Sequence, residues 1–251
     1  MRLNIFITLL VLLTAVTPAA LRVAREQLAR YQPAAADPIS ASVSATQAAR
    51  PTMTERCQDC NLAKADLSHQ DLSRKNFRDA NLTEANLTGT QLINAVLHQA
   101  NLTQATLHQA NLQGADLSAA ILTQADLSQA QMLNTNLVQA DLTSASLTQA
   151  ELREAALCSA KLNQADLSEA SLYGAILRQA DLSDTDLRGA DLRYADLYEA
   201  NLADANLTGA RLDFATMPDG STYNQGYVQP LNPSQGCDPS SPQDLVQQPS
   251  S

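Results

Sequence analysis

Between Leu62 and Met217 an apolar residue recurs at every fifth position, 32 times in succession and without an insertion. Leu fills 29 of these places; Phe77, Met132 and Met217 fill the others. Two places earlier Ala stands in 26 of the 32 units, and the place between is commonly Asp or Asn. The stretch 101–117, NLTQATLHQANLQGADL, shows the pattern cleanly. A period of five suits neither ordinary element. On an α-helix five residues turn through about 500°, which scatters successive Leu around every face. On a straight strand side chains alternate, which sends every second Leu outward. All of them turn inward only if the chain bends once per unit. Short sides joined by corners then wind into a tube, with Leu and the preceding Ala filling its lumen. The small Ala leaves room for Leu from the other sides. Repetition of this kind makes a quasi-one-dimensional solenoid.

The repeat Ala-Asp/Asn-Leu-x-x resembles the pentapeptide-repeat family, over residues 62–217. The resemblance implies an all-β fold, a right-handed quadrilateral β-helix with four units, hence about 20 residues, per coil. Spacing alone does not choose four sides over three. With four, the repeats make about eight coils and a rod roughly 38 Å long.

A coil of that size converts the sequence into columns of residues twenty apart. Arg153, Tyr173 and Arg193 make one column, suited to cation–π contact. Arg178 lies one coil from Tyr198, and Tyr194 one coil from Phe214. Asp141, Lys161 and Asp181 alternate in sign, whereas Asp166 and Asp186 stack as like charges. Residues 86–150 contain no Lys or Arg, and their outer positions are Thr, Gln, Asn and Ser. The Arg and Tyr columns therefore mark the C-terminal half as the candidate interaction surface: Arg153, Tyr173, Arg193, Arg178, Tyr198, Tyr194 and Phe214.

The flanks are different in kind. Residues 1–20 carry Arg2, an uncharged apolar run from Ile5 to Val16, and small residues around Ala20. That order marks a signal peptide, or, if uncleaved, a signal anchor. Residues 21–56 read as a short basic helix, a linker rich in Ala, Ser and Pro, and an N-terminal cap. The β-helix is expected over 57–220, closed by the turn signal Met217-Pro218-Asp219-Gly220. Residues 221–251, rich in Pro, Ser and Gln, read as a disordered tail. The expected location is outside the cytoplasm, in a periplasm or thylakoid lumen.

Cys57-Gln58-Asp59-Cys60 lacks both the βαβ context of a redox motif and the second ligand pair of a zinc site. A CxxC directly before the first repeat resembles the start of cyanobacterial-type pentapeptide-repeat proteins. The resemblance implies a structural cap, with the two thiols paired or reduced. Cys158 follows an inward Leu, so its thiol is expected to face outward. Pro218 shares its column three coils on, roughly 14 Å away. The tail from there to Cys237 spans about 60 Å when extended, so a Cys158–Cys237 disulfide is within reach.

No enzyme is legible. His69, His98 and His108 never stack, so no metal site is expected, and the carboxylates are spread around the rod with no concave pocket. No cofactor is implied. The net charge of −10 disfavours nucleic acid and anionic lipid as partners. The membrane is reached only through an uncleaved N-terminal segment. The expected function is an exported structural or protein-interaction module whose partner is another protein. An alternative implied by the family is an acidic DNA mimic that binds DNA gyrase, since residues 61–217 hold 19 acids against 10 bases. Export and the sparse acids of the middle coils argue against it. A second alternative is a binder of ice or carbohydrate through the column Thr83, Thr103, Thr123 and Thr143.

Overall fold

The computed structural model describes residues 57–223. The expectations for 1–20, for 21–56 and for the tail beyond Tyr223, Cys237 included, lie outside the described residues. The chain forms a right-handed quadrilateral β-helix. Parallel bridges join each outward residue to the one twenty places on, from Asn61↔Asn81 through Asp196↔Thr216. Those bridges decide the number of sides: four pentapeptides close one coil. Side one carries 61–62 and every twentieth residue after them; sides two, three and four start at 66, 71 and 76. Cys57 falls one coil before Phe77, so the register begins one unit before the first Leu.

Each unit accounts for its five amides, and the account explains the repeat. Leu62 N–H donates to the Asn81 carbonyl at 2.7 Å, and Asn81 N–H returns to the Cys60 carbonyl at 2.8 Å. Lys64 N–H reaches the Thr83 carbonyl at 2.9 Å, and Ala65 N–H closes the turn on the Leu62 carbonyl at 3.0 Å. The fifth amide has no backbone partner. Where Asn or Asp stands two places back it donates to that side chain, as Ala63 does to Asn61 Oδ1 at 3.2 Å and Thr143 to Asp141 Oδ1 at 3.1 Å. Asn and Asp suit this position because their short carboxamide or carboxylate makes that Asx turn. The third turn residue holds a positive φ, for instance 60° at Lys64 and 58° at Gln149, the sign a type II turn requires there. A non-Gly residue in that conformation costs about 1 kcal/mol, and its amide bond to the next coil offsets the cost.

Leu and Ala fill the lumen, and the Leu of the middle coils are fully buried. Each buried Leu contributes about 2 kcal/mol by area. Thr90, Thr135 and Thr185 take the Ala place; each donates its hydroxyl to the Leu carbonyl 23 residues earlier, at 2.9, 2.9 and 2.8 Å. The two ends differ. In the first coil Leu67 and Leu72 are buried and Phe77 lies above Cys57. In the last coil Leu202, Leu207, Leu212 and Met217 are only partly buried. There the chain reverses: Gly220 (φ 81°) allows the turn, Met217 N–H donates to the Ser221 carbonyl at 2.7 Å, and Thr216 pairs antiparallel with Thr222.

Candidate functional site

The corner between sides three and four gathers the aromatic residues of the C-terminal half. It is built from turn positions. Tyr173 and Arg193 are second residues of side-three turns, while Tyr194 and Phe214 are third residues, held at φ 59° and 62°. Gly174 occupies the place below Tyr194 in that column. The rings of Tyr194 and Phe214 stack at 5.0 Å with 17° between planes, and Tyr173 meets Tyr194 at 5.2 Å, tilted by 55°. Arg193 lies over the Tyr173 ring at 5.4 Å. These are the geometries that an aromatic quadrupole favours. Tyr173, Tyr194 and Phe214 remain 37%, 49% and 39% exposed. Tyr223 joins their end of the rod, its carbonyl accepting from Phe214 N–H at 3.1 Å.

Below this ladder a shallow depression of about 490 Å³ is lined by Glu151, Arg153, Ser171, Tyr173, Asp191 and Arg193. Each arginine is tied to the acid two residues before it: Arg153 to Glu151 at 3.2 Å and Arg193 to Asp191 at 2.6 Å. The Arg193 hydrogen bond holds the Asp191 carboxyl below the usual carboxylate range, against the opposing effect of burial. Asp186 is held down likewise by Arg188, at 2.6 Å. The like-charge stack of Asp166 on Asp186 is thus relieved by Arg188 in the same coil.

Arg178 and Tyr198 sit elsewhere, on the turns of side four. The guanidinium lies 4.7 Å from the ring centroid. It also pairs with Asp196 at 3.2 Å, with side chains only 13% and 9% exposed. This buried pair escapes a column reading because its partners are 18 residues apart, a diagonal rather than a vertical step. The Tyr173–Tyr194 contact, 21 apart, escapes it for the same reason. Tyr223 escapes because it falls in a segment whose composition reads as tail. Registering each residue with its two neighbours on the adjacent coil would reveal the first two.

In the neutral middle, side chains form hydrogen-bonded ladders. Gln109, Gln129, Gln149 and Glu169 link at 2.9, 3.3 and 2.7 Å. His98 and His108 bond Ser118 and Ser128 at 2.7 and 2.8 Å. Three of the four threonines in the column are occupied internally. The hydroxyls of Thr83 and Thr103 each donate to the Asn two residues back at 2.7 Å, and that of Thr143 to Asn163 at 3.0 Å.

Cys57 and Cys60 form a disulfide at the start of the first coil, with Cys57 in a lumen position. Cys158 departs from expectation. Its side chain is outside the lumen cluster, but it is buried, at 2% exposure, instead of accessible. It is not a free thiol. The position is therefore outside the lumen but shielded, which corrects the accessibility expected of it; the expected pairing with Cys237 lies outside the described residues.

A coil of four pentapeptides, its lumen packed with Leu and Ala and its polar and aromatic side chains carried on the turns, defines a pentapeptide solenoid. The chain belongs to the pentapeptide-repeat family: Pentapeptide repeats match in 8 copies over 60–99, 80–118, 100–137, 120–155, 150–189 and 185–219. Curated protein sequences return no match. Among solved structures, HetL, a pentapeptide-repeat protein involved in heterocyst differentiation regulation in the cyanobacterium Nostoc sp. strain PCC 7120, is 29% identical. That match covers 69% of this chain and 94% of HetL at a TM-score of 0.45. QnrB1, a plasmid-mediated fluoroquinolone resistance protein, is 20% identical over 62% of this chain and 78% of its own, at a TM-score of 0.52. It shares the fold. A pentapeptide-repeat protein of the Arabidopsis thaliana thylakoid lumen is 30% identical over 45% of this chain and 69% of that one, at a TM-score of 0.19.

Proposed function

We propose that this protein is an exported, non-enzymatic interaction module that binds another protein through the aromatic corner of its C-terminal half. One observation carries the reading: Tyr173, Tyr194 and Phe214 form a continuous exposed ladder on the outside of the rod. They do not fill the lumen, so the fold does not need them. Exposed, pre-stacked aromatics flanked by arginine have the make-up of binding hot spots. The sequence of residues 1–20 and the Cys57–Cys60 disulfide support an oxidising compartment outside the cytoplasm, a periplasm or thylakoid lumen.

The DNA-mimic alternative has less support. Coil 181–200 is the most acidic stretch, but Asp186, Asp191 and Asp196 are each paired with an arginine, which breaks any phosphate-like row. The ice or carbohydrate alternative loses the hydroxyls that hydrogen-bond within the rod.

The conformation itself supplies the test. Glycine is at ease at a positive φ, so Tyr194→Gly with Phe214→Gly removes the ladder without straining the coil. Crosslinking in the native host with mass spectrometry should place partner crosslinks around 173–223 in the wild type. The double variant should keep its circular dichroism spectrum and lose those crosslinks. Crosslinks concentrated on the middle coils, or unchanged by the two substitutions, would refute the assignment.

A further inference from the structure

Charge is not spread evenly over the four sides of the rod. Residues 61–217 hold 19 acids and 10 bases, and side three holds five of each. Sides one, two and four share the remaining 14 acids and five bases. Side three also carries Ile93, Leu133 and Tyr173 in one outward column, at every second coil, and all three meet solvent at least in part. It is thus the one side on which a chain of net charge −10 can be approached by another like it without facing a surplus of acids.

We propose that side three pairs with side three of a second copy, the two rods lying parallel about a two-fold axis along their length. In each coil the inward Leu or Met of this side is flanked by an outward bridged residue before it and an outward turn residue after it. A two-fold axis parallel to the rod sets the bridged residue of one copy against the turn residue of the other, in the same coil. The charges of side three then meet their opposites. Arg153 faces Glu151 of the second copy, Arg193 faces Asp191, and Asp213 faces Arg211 with the signs exchanged. The coils that start at 91, 111 and 131 carry no charge at these positions, and there Ile93 faces Gln91 and Leu133 faces Gln131. Tyr173, the only ring in its column, faces Ser171, which lines the depression between Glu151 and Asp191.

An antiparallel mate does not achieve this. Full overlap would set Arg153 against Leu133 and Arg193 against Ile93, and leave Glu151 and Asp191 opposite Gln131 and Gln91. On the other three sides only Asp186 and Arg188 give an opposite pair of this kind. Within one copy Glu151–Arg153 and Asp191–Arg193 are ion pairs at 3.2 and 2.6 Å, so association turns each pair into a cluster of four alternating charges. The side is about 38 Å long and one pentapeptide, at most about 17 Å, wide, so each copy covers no more than about 650 Å². A standard stable complex covers about 800 Å² per partner, so the dimer is weak and concentration-dependent. The pairing goes beyond the aromatic-corner reading and does not rest on it, since Tyr194 and Phe214 stand at the edge of the side.

The test uses the full chain. Sedimentation velocity should show a dimer whose share grows from micromolar to millimolar concentration, and a monomer throughout would overturn the proposal. Two charge-reversed variants then read the geometry. Arg153→Glu with Arg193→Glu makes both flanks of these coils acidic, and Glu151→Arg with Asp191→Arg makes both basic. Each variant alone should keep the wild-type circular dichroism spectrum and self-associate at least about tenfold more weakly. An equimolar mixture should recover a dimer of one copy of each. Variants that self-associate as the wild type does, or a mixture that stays monomeric, would overturn it. A photoreactive side chain at 113 in isotope-labelled wild type should capture an unlabelled copy near Asn111; capture three or more coils away would reject the parallel alignment. Tyr194 and Phe214 are untouched throughout, so failure here leaves the aromatic-corner reading to its own test.

Discussion

Replacing Leu142 with Asp tests the inward and outward assignment at adjacent residues. Leu142 is fully buried in the middle of the rod, and Thr143, the next residue, is half-exposed. Removing the Leu side chain leaves a cavity worth about 2–5 kcal/mol. The new carboxyl then finds only Leu and Ala around it, which adds about 1–3 kcal/mol even when it is neutral. Thr143→Asp loses one hydrogen bond, from the Thr143 hydroxyl to Asn163 at 3.0 Å, worth about 1 kcal/mol. It adds a solvated charge near Asp141, which Lys161 already partners at 3.5 Å. For a rod of this size 1 kcal/mol moves Tm by about 2–4 °C. Circular dichroism melts should therefore show a fall of at least about 6 °C for Leu142→Asp and under about 5 °C for Thr143→Asp. The pH dependence adds a second signature. Burial raises the pKa of the carboxyl at 142 above its unfolded value, so the folded form prefers the protonated acid. The penalty should thus grow as pH rises above the unfolded carboxylate value, and Leu142→Asp should be relatively less damaged near pH 4 than near pH 8. Similar Tm losses for the two variants would show that the lumen is not where the Leu column lies.

The ion pairs give further outcomes. Arg178→Ala should destabilise by about 3 kcal/mol, because it strands the buried Asp196 carboxylate; Arg188→Ala, at an exposed pair, should cost under about 1 kcal/mol. Equal urea midpoints would contradict that ranking. Asp181, Asp186 and Asp191 all have lowered pKa values, led respectively by hydrogen bonds from Ser183, Arg188 and Arg193. Depressed carboxylates contribute stability in full above about pH 4, and that contribution is lost as pH falls through their folded values. Asp186→Asn with Asp191→Asn should therefore flatten the acid limb of a Tm-against-pH curve, and an unchanged limb would discount these pairs. N-terminal sequencing of the native protein should find residues 1 to about 20 removed, whereas a soluble cytoplasmic form that retains Arg2 would reject export.

The sequence by itself determined the architecture of the coils. A period of five with Leu inward forces a bend per unit, and the Asn or Asp that commonly precedes Leu supplies the acceptor that the turn amide needs. Both are local requirements repeated along the chain, so the pattern is legible without knowing what lies beside it. The vertical columns were legible too, once the length of a coil was in hand. Arg193 on Tyr173 and Phe214 on Tyr194 are twenty or so residues apart because neighbouring coils stack. Bridges between coils decided the number of sides, since five-residue spacing is equally compatible with three. Tertiary structure alone also decided the diagonal contacts. Arg178 reaches Asp196 instead of remaining at the surface because a long side chain leans along the rod, and no repeat position encodes that tilt. It decided the difference between the ends as well: Leu67 and Leu72 of the first coil are buried, while Leu202, Leu207 and Leu212 of the last are only partly so. Above all it decided the burial of Cys158. Whether an outward residue meets water depends on what packs around it, and that is not encoded in its own repeat position.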